Sequence, residues 1–263
     1  MIDDQALLSG RHVLITGAGT GIGAAIATAA ALAGARVSVA GRRAEPLMAV
    51  AASLTRAETH PIPGFDVTEP AQIAAGLAAA RQAFGPIDIL VNNAGEAPSA
   101  PFAKTDLATW KRALDVNLTG TFLVTREVVP DMLAKRAGRV INIASTAGLV
   151  GYAYVTAYVA AKHGVIGLTR SLALELAKSG ITVNAVCPGY TDTPLFERAV
   201  EAIVAKTGRS AAAVGASLAS SNPQGRLVLP QEVAQSVLWL ASSGAAAITG
   251  QAIVVAGGEV MVG

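Results

Sequence analysis

Cysteine, histidine and charge are all scarce in this chain. Of 263 residues one is cysteine, Cys187, and three are histidine, His12, His60 and His163. A single cysteine excludes an internal disulfide framework, and the histidines show no zinc-ligand spacing. Charged residues make up 14%, with 20 Lys+Arg against 18 Asp+Glu, and no basic block occurs. That balance argues against a nucleic-acid groove. Apolar residues reach 52%, yet no run of about 18 strongly apolar residues is present, so no membrane span is expected. Met1–Gly10 carries Asp3 and Asp4 and lacks the basic start of a signal peptide. The expectation is a soluble, cytoplasmic protein, long enough for a two-sided core without metals or disulfides.

What is present is alternation. Short β-branched runs at His12–Thr16, Arg36–Ala40, His60–Phe65, Ile87–Val91, Arg139–Ala144, Ile181–Val186 and Gln251–Val255 alternate with Ala/Leu-rich segments near 21–33, 44–56, 70–83, 106–136, 154–178 and 230–241. This is the pattern of βαβ units around a parallel sheet. The strands read as uniformly apolar, which predicts a sheet covered by helices on both faces. No linker or repeat divides the chain, so residues 1–263 read as a single α/β, doubly wound domain. Gly189–Pro230 is its least regular stretch, and the segment about 190–225 is expected to form a substrate lid.

The first strand runs into Thr16-Gly17-Ala18-Gly19-Thr20-Gly21-Ile22-Gly23 and then an Ala-rich helix. Glycines there allow a tight turn and close backbone approach to a pyrophosphate, while the helix N-terminus supplies free N–H groups. Gly19, Gly21 and Ala24 satisfy G-x-G-x-x-A, and Gly17, Gly21 and Gly23 satisfy the longer G-x-x-x-G-x-G; the strand ending at Thr16 favours the longer form. No Gly-Lys-Ser/Thr follows, against a P-loop NTPase. The second strand ends in Ala40-Gly41-Arg42-Arg43, without the acid that would accept from an NAD ribose. A guanidinium there matches a 2′-phosphate, which favours NADP over NAD, with Arg42 ahead of Arg43.

Tyr158 and Lys162 stand at i and i+4 on one predicted helix, with an ammonium placed to draw the phenol toward its working range. Tyr154 reads as a wall of the site or as core. Strand five ends at Ser145 and strand four at Asn92-Asn93-Ala94-Gly95. In an open parallel sheet those ends line the ligand crevice, so Ser145 could polarise a carbonyl. Asn117 is a helix amide that needs a partner if buried.

In order and spacing, Thr16–Gly23, Asp66-Val67, Asn92–Gly95, Asn117, Ser145, Tyr158-x-x-x-Lys162 and Pro188-Gly189 resemble the short-chain dehydrogenase/reductase family. The resemblance implies a NAD(P)-dependent oxidoreductase. Tyr158 would be its general acid and Lys162 would hold the nicotinamide ribose. Ser145 would bind the carbonyl oxygen, and Asn117 would anchor a water relay. It further implies cofactor contacts from Gly17, Thr20, Gly21, Ile22 and Gly23, from Asp66 and Val67 at the adenine, and from Asn93, Ala94 and Gly95 at the ribose. Pro188, Gly189, Thr191 and Thr193 would hold the carboxamide side. Thr191 departs from the family's usual Ile or Val, and Val255-Ala256-Gly257-Gly258 from its usual Asp-Gly-Gly.

The runs Gly138–Gly148 and Gly180–Tyr190 are similar to 3-oxoacyl-thioester reductases, which implies reduction of a carbonyl substrate borne by coenzyme A or a carrier protein. The substrate side is read from Pro98, Pro101, Phe102, Leu149, Val150, Tyr152, Tyr154, Leu195 and Phe196, an apolar wall with a hydroxyl or two. It suits cyclic ketones and aromatic groups as well. Lys135, Arg136 and Lys178 read either as entrance charges steering an acidic carrier or as cations capping helix dipoles. Cys187 reads as packing, and His163 points away from the phenol. Two alternatives remain: a catabolic dehydrogenase of 3-hydroxyacids, 3-hydroxyacyl-CoA or cyclic alcohols, and a dinucleotide-binding sensor or scaffold without turnover. The resemblance also implies a homotetramer with interfaces around 107–136 and 154–178.

Overall fold

The computed structural model describes residues 7–261, so most of the N-terminal stretch read above, Met1–Ala6, lies outside the described residues. Seven parallel strands form one sheet in the order β3-β2-β1-β4-β5-β6-β7. They are β1 (His12–Thr16), β2 (Arg36–Gly41), β3 (Thr59–Pro63), β4 (Ile89–Asn92), β5 (Gly138–Ile143), β6 (Ile181–Pro188) and β7 (Ala252–Val255). The helices are α1 (Gly21–Leu32), α2 (Ala44–Ser53), α3 (Pro70–Phe84), α4 (Leu107–Leu114), α5 (Gly120–Lys135), α6 (Thr156–Leu176), α7 (Pro194–Thr207), α8 (Ala211–Ala219) and α9 (Pro230–Ala241).

The central strands β1, β4, β5 and β6 are buried throughout. One core joins the sheet to α1, α2 and α9, around Ile15, Ile26, Leu47 and Val237. The other joins it to α3, α5 and α6, around Leu14, Leu77, Val128 and Ala173. Both faces are thus dry, which is what continuous apolar strands require. The outer strands depart from that reading: β7 is half-buried along its whole length, and in β3 only Ile62 is buried. An edge strand has a neighbour on one side only, and apolar composition does not reveal position in the sheet.

Strand order reverses between β1 and β4, whose succeeding chains leave in opposite directions and open a crevice at their carboxyl ends. The crevice is stapled. Thr16 Oγ1 accepts from the Asn93 and Ala94 backbone N–H groups at 3.0 and 3.1 Å, and Asn93 Nδ2 donates to the Thr16 and Gly17 carbonyls at 3.0 and 3.1 Å.

Two segments differ from the sequence reading. The span read as one helix over 106–136 contains a π-helical turn, Asp115–Thr119, between α4 and α5; such wider turns, with i→i+5 bonds, are frequent at functional sites. The stretch about 190–225 is helical over α7 and α8. Thr193 caps α7 by accepting from Phe196 N–H, Pro194 occupies its first turn, and Gly208 ends it in a left-handed conformation. Those cap signals were legible; the small residues of α8 masked the period.

Candidate active site

A cavity of about 900 Å³ runs along the carboxyl ends of the strands from the glycine turn to α7. It is lined by all of the expected positions except Gly23, namely Gly17, Thr20, Gly21, Ile22, Arg42, Arg43, Asp66, Val67, Asn93, Ala94, Gly95, Asn117, Ser145, Tyr152, Tyr158, Lys162, Pro188, Gly189, Thr191 and Thr193. Gly23 lies behind the turn, where a Cβ would stand 2.5 Å from Asn93 Nδ2 and closer still to the Gly17 carbonyl. Gly17 has φ +64°, and a Cβ there would stand 2.9 Å from Ala94 Cα. The turn is therefore a cradle that only bare backbone can form. Thr20 opens α1 without a side-chain cap, leaving first-turn N–H groups for a ligand. These residues fit the pyrophosphate of a dinucleotide.

At the adenosine end, Asp66 Oδ1 accepts from Thr68 N–H and Oγ1–H at 3.0 and 2.8 Å. Burial works to raise its pKa, but those bonds and the Arg42 charge hold it below the usual carboxylate value. Arg42 and Arg43 are exposed, and no carboxylate of β2 opposes them.

At the reactive end Lys162 is buried, and Ser145 and Tyr158 are half-buried against the cavity. Lys162 Nζ donates to the Ile143 carbonyl at 2.8 Å and lies 5.6 Å from the Tyr158 ring centroid. Ser145 neighbours Tyr158, and its Oγ accepts from Ala147 N–H at 3.1 Å. Burial pushes the phenol above its ordinary value, with Ser145 opposing, and lowers Lys162 to about 8. Desolvation thus works against the expected downward pull of the ammonium on the phenol. At neutral pH the phenol holds its proton, the state a general acid requires.

Asn117 sits in the π-helical turn. Its Nδ2 donates to the Glu96 and Ala113 carbonyls, both at 2.9 Å, and its Oδ1 accepts from Glu96 N–H at 3.3 Å. A Cβ on Gly95 would lie 2.8 Å from Asn117 Oδ1 and 3.7 Å from Lys162 Nζ, so the three residues meet. Glu96 is in turn held by both arms of Arg112 at 2.8 Å.

On the opposite wall, the rings of Tyr152, Tyr190 and Phe196 stack edge to face at 6.3 and 6.0 Å. The Tyr152 oxygen lies 2.9 Å from Thr146 Oγ1 and 2.7 Å from Glu259 Oε1. One phenol proton serves one acceptor, and the carboxylate is the stronger, so Thr146 donates to Tyr152 and Tyr152 to Glu259. Tyr152 therefore faces the cavity with its ring while its hydroxyl is engaged elsewhere. Of the apolar positions read from sequence, Pro101, Tyr152, Tyr154, Leu195 and Phe196 line the cavity, whereas Pro98, Phe102, Leu149 and Val150 do not. Tyr154 precedes α6, at φ 69° and 64% exposed, so it is rim and not core. Cys187 is buried, with burial pushing its thiol up to about 11, and His163 is exposed and turned to the Val159 carbonyl.

The sequence places Glu96 and Tyr190 within the substrate-side segments Glu96–Phe102 and 190–225 without assigning either a role, and gives no reading of Glu259, for which a lone acid after Gly257-Gly258 in an apolar tail was the one available signal. Of the two readings of Lys135, Arg136 and Lys178, the geometry favours helix-dipole cations over entrance charges. Lys135 pairs with Asp88 at 2.6 Å and Arg136 donates to the Lys178 carbonyl, all beside the amino-terminal ends of β4, β5 and β6. That is the end of the sheet away from the cavity, where cations at helix C-termini complement the dipole. Among the described residues no cluster of His, Cys, Asp or Glu could hold a metal, and no helix is long and apolar enough to cross a membrane.

A nucleotide cradle at the switch point of a parallel sheet, with a Ser–Tyr–Lys cluster beside it, defines a dinucleotide-dependent oxidoreductase. The family model for short chain dehydrogenases matches residues 11–203, and the chain belongs to that family. A Streptomyces violaceoruber protein described as a ketoacyl reductase of the granaticin polyketide synthase is 45% identical, over 93% of this chain and 91% of its own. D-beta-hydroxybutyrate dehydrogenase of Cupriavidus necator is 39% identical over 93% and 95%. The crystal structure of a variant actinorhodin polyketide ketoreductase with NADPH superposes with TM-score 0.91 at 40% identity, over 95% and 97% of the two chains.

Proposed function

We propose that this chain, as a single catalytic domain with α7 and α8 as its lid, reduces a 3-oxoacyl thioester to the 3-hydroxyacyl thioester with NADPH. The observation that carries the reading is the Ser145–Tyr158–Lys162 cluster, set between an Arg42-Arg43 end that lacks a β2 carboxylate and an aromatic wall. The likeness to polyketide ketoacyl reductases supports the thioester, and the NADPH-bound relative supports the phosphorylated cofactor.

When bound, the dinucleotide supplies the hydride. Gly17, Thr20, Gly21, Ile22 and Gly23 shape its phosphate seat, Arg42 and Arg43 take the 2′-phosphate, and Asp66 and Val67 take the adenine. Asn93, Ala94 and Gly95 border the adenosine ribose, while Pro188, Gly189, Thr191 and Thr193 border the carboxamide. Ser145 Oγ donates to the substrate carbonyl oxygen, stabilising the charge that develops there. Tyr158 gives that oxygen its phenol proton. Lys162 stabilises the phenolate left behind and binds the ribose. Asn117, locked to Glu96, positions the π-helical turn through which a water restores the proton. The Tyr152 ring borders the acyl group.

The same reading includes a cytoplasmic homotetramer whose contacts use the α4–α5 and α6 faces, where Leu107, Phe122 and Leu174 are exposed. The test is loss of reduced-nicotinamide absorbance with acetoacetyl-CoA, with NADPH and NADH in parallel. Oxidation of NADPH is the expected outcome. Turnover confined to NADH with 3-hydroxybutyrate or a cyclic alcohol would replace it with the catabolic reading, which the hydroxybutyrate dehydrogenase relative supports. No turnover of any carbonyl despite NADPH binding would leave a dinucleotide sensor.

A further inference from the structure

The carboxylates lining the cavity are Asp66 and Glu96, and both are engaged, Asp66 with Thr68 and Glu96 with Arg112. The cations at its α7 end are not matched in this way. Arg198 and Lys206 line the cavity and are exposed, and neither forms an ion pair among the described residues. Glu197 and Glu201 of the same helix lie outside the lining. Lys206 Nζ donates to the Ser99 carbonyl at 2.8 Å, which holds the ammonium across the mouth. The adjoining chain is fixed too, since Ala100 N–H donates to the Tyr154 carbonyl at 2.8 Å. The pocket-facing side of α7 between the cations is apolar, at Ala199 and Ile203.

Helix geometry sets the distances. Phe196 packs on Tyr190 beside the reactive end, and Lys206 stands ten residues further along, about 15 Å down the axis, with Arg198 about 12 Å before it. A short ketone does not span such a track; a thioester on an extended arm with phosphate at its far end does.

We infer that Arg198 and Lys206 form a subsite for the phosphate groups of a pantetheine-type arm, with Ala199 and Ile203 flanking the arm. The inference rests on the thioester reading and names the residues that select for the carrier. Phosphate esters of this kind occur on coenzyme A and on carrier proteins, and charge-assisted bonds to either are the same chemistry. Rim cations act on capture more than on the chemical step.

The experiment is calorimetric binding of coenzyme A to the NADPH-saturated protein, so that the dinucleotide seat is filled. Pantetheine, which lacks phosphate, and 4′-phosphopantetheine are measured alongside. Arg198→Gln and Lys206→Gln should each weaken coenzyme A binding about fivefold, the double variant more, while pantetheine binding does not depend on either cation. Lys206→Arg should rescue, separating charge from loss of the α7 contact. A comparable dependence for 4′-phosphopantetheine assigns the subsite to the phosphate shared by both carriers; dependence for coenzyme A alone assigns it to the nucleotide phosphates. In turnover, the preference for acetoacetyl-CoA over the acetoacetyl thioester of N-acetylcysteamine should collapse in the double variant and fall with salt in the parent. Failure of coenzyme A to bind, equal binding by parent and double variant, or equal loss with pantetheine overturns the inference. If neither thioester is reduced while coenzyme A binding still depends on the two cations, the reductase reading fails and the anion subsite stands.

Discussion

Tyr152 is turned away from the chemistry by Glu259: its phenol oxygen lies 2.7 Å from Glu259 Oε1, while Oε2 of that carboxylate is buried without a partner. The C-terminal tail thereby holds a ring of the cavity wall from behind. Burial and the neighbouring carboxylate both push the Tyr152 phenol far above its usual value, so it cannot compete with Tyr158 as a proton donor. Tyr152→Phe would leave both oxygens of Glu259 unsatisfied and should cost about 1–3 kcal/mol in chemical denaturation. Adding Glu259→Leu should recover part of that loss, since no buried acceptor then remains. A double variant as unstable as the sum of the two singles would show that the pair is not coupled.

Tyr158→Phe keeps the ring and removes the proton. Carbonyl reduction should fall by about 10²–10⁴-fold, the usual contribution of a general acid, while NADPH binding changes little. With Lys162 at about 8, its charge is present at neutral pH and lost as pH rises through that value. Reduction by the parent should therefore decline above about pH 8. A rate that stays flat to pH 10 would detach Lys162 from the profile.

The same lysine should lower stability. Its folded pKa of about 8 lies below the unfolded 10.5, so between those values the unfolded chain binds more protons and stability rises with pH. Below about pH 8 the penalty is complete. A displacement of that size is worth about 3 kcal/mol, and losing the bond to the Ile143 carbonyl returns about 1 kcal/mol. Lys162→Met should thus stabilise the protein by about 2 kcal/mol at pH 7, with the gain shrinking toward pH 10. Unchanged or lower stability at pH 7 would mean that the ammonium is better solvated than its burial indicates.

The difference between what the sequence shows and what it hides follows from range. Strands such as His12–Thr16 and the helix Pro230–Ala241 match their reading because composition within a few residues decides them. The glycine turn, Ser145, Tyr158 and Lys162 are legible because their chemistry restricts residue type and spacing. Glu259 and Tyr152 are 107 residues apart, and nothing local to either announces the other. The π-helical turn at Asn117 is a change of bonding over five residues, too short a stretch for an apolar period to resolve, so the sequence reads as one helix there. Edge position, which separates β3 and β7 from the buried strands, depends on the order of the whole sheet.

Gly23→Ala tests the cradle without touching the reactive end. The added Cβ would meet Asn93 Nδ2 at 2.5 Å and the Gly17 carbonyl closer still, both held in the β1–β4 staple. Neither can retreat without breaking the turn. Dinucleotide affinity should drop by at least about tenfold, with thermal stability falling as well. Intact affinity would show that the turn has slack.

Arg42→Ala tests cofactor choice, because it removes one charge and exposes another. Arg42 both faces the predicted 2′-phosphate and helps hold the Asp66 carboxyl below its usual value. Without the guanidinium a 2′-phosphate loses a paired donor and meets the Asp66 charge uncompensated, whereas a 2′-hydroxyl carries no charge to repel. The KM for NADPH should rise about tenfold while that for NADH changes little, and the shift should diminish in high salt because Arg42 is exposed. If both cofactors weaken equally, Arg42 supports the fold of the adenosine end and the phosphate falls to Arg43. The companion Arg43→Ala then separates the two, since Arg43 precedes the first turn of α2 without a side-chain cap and its loss should leave that helix in place.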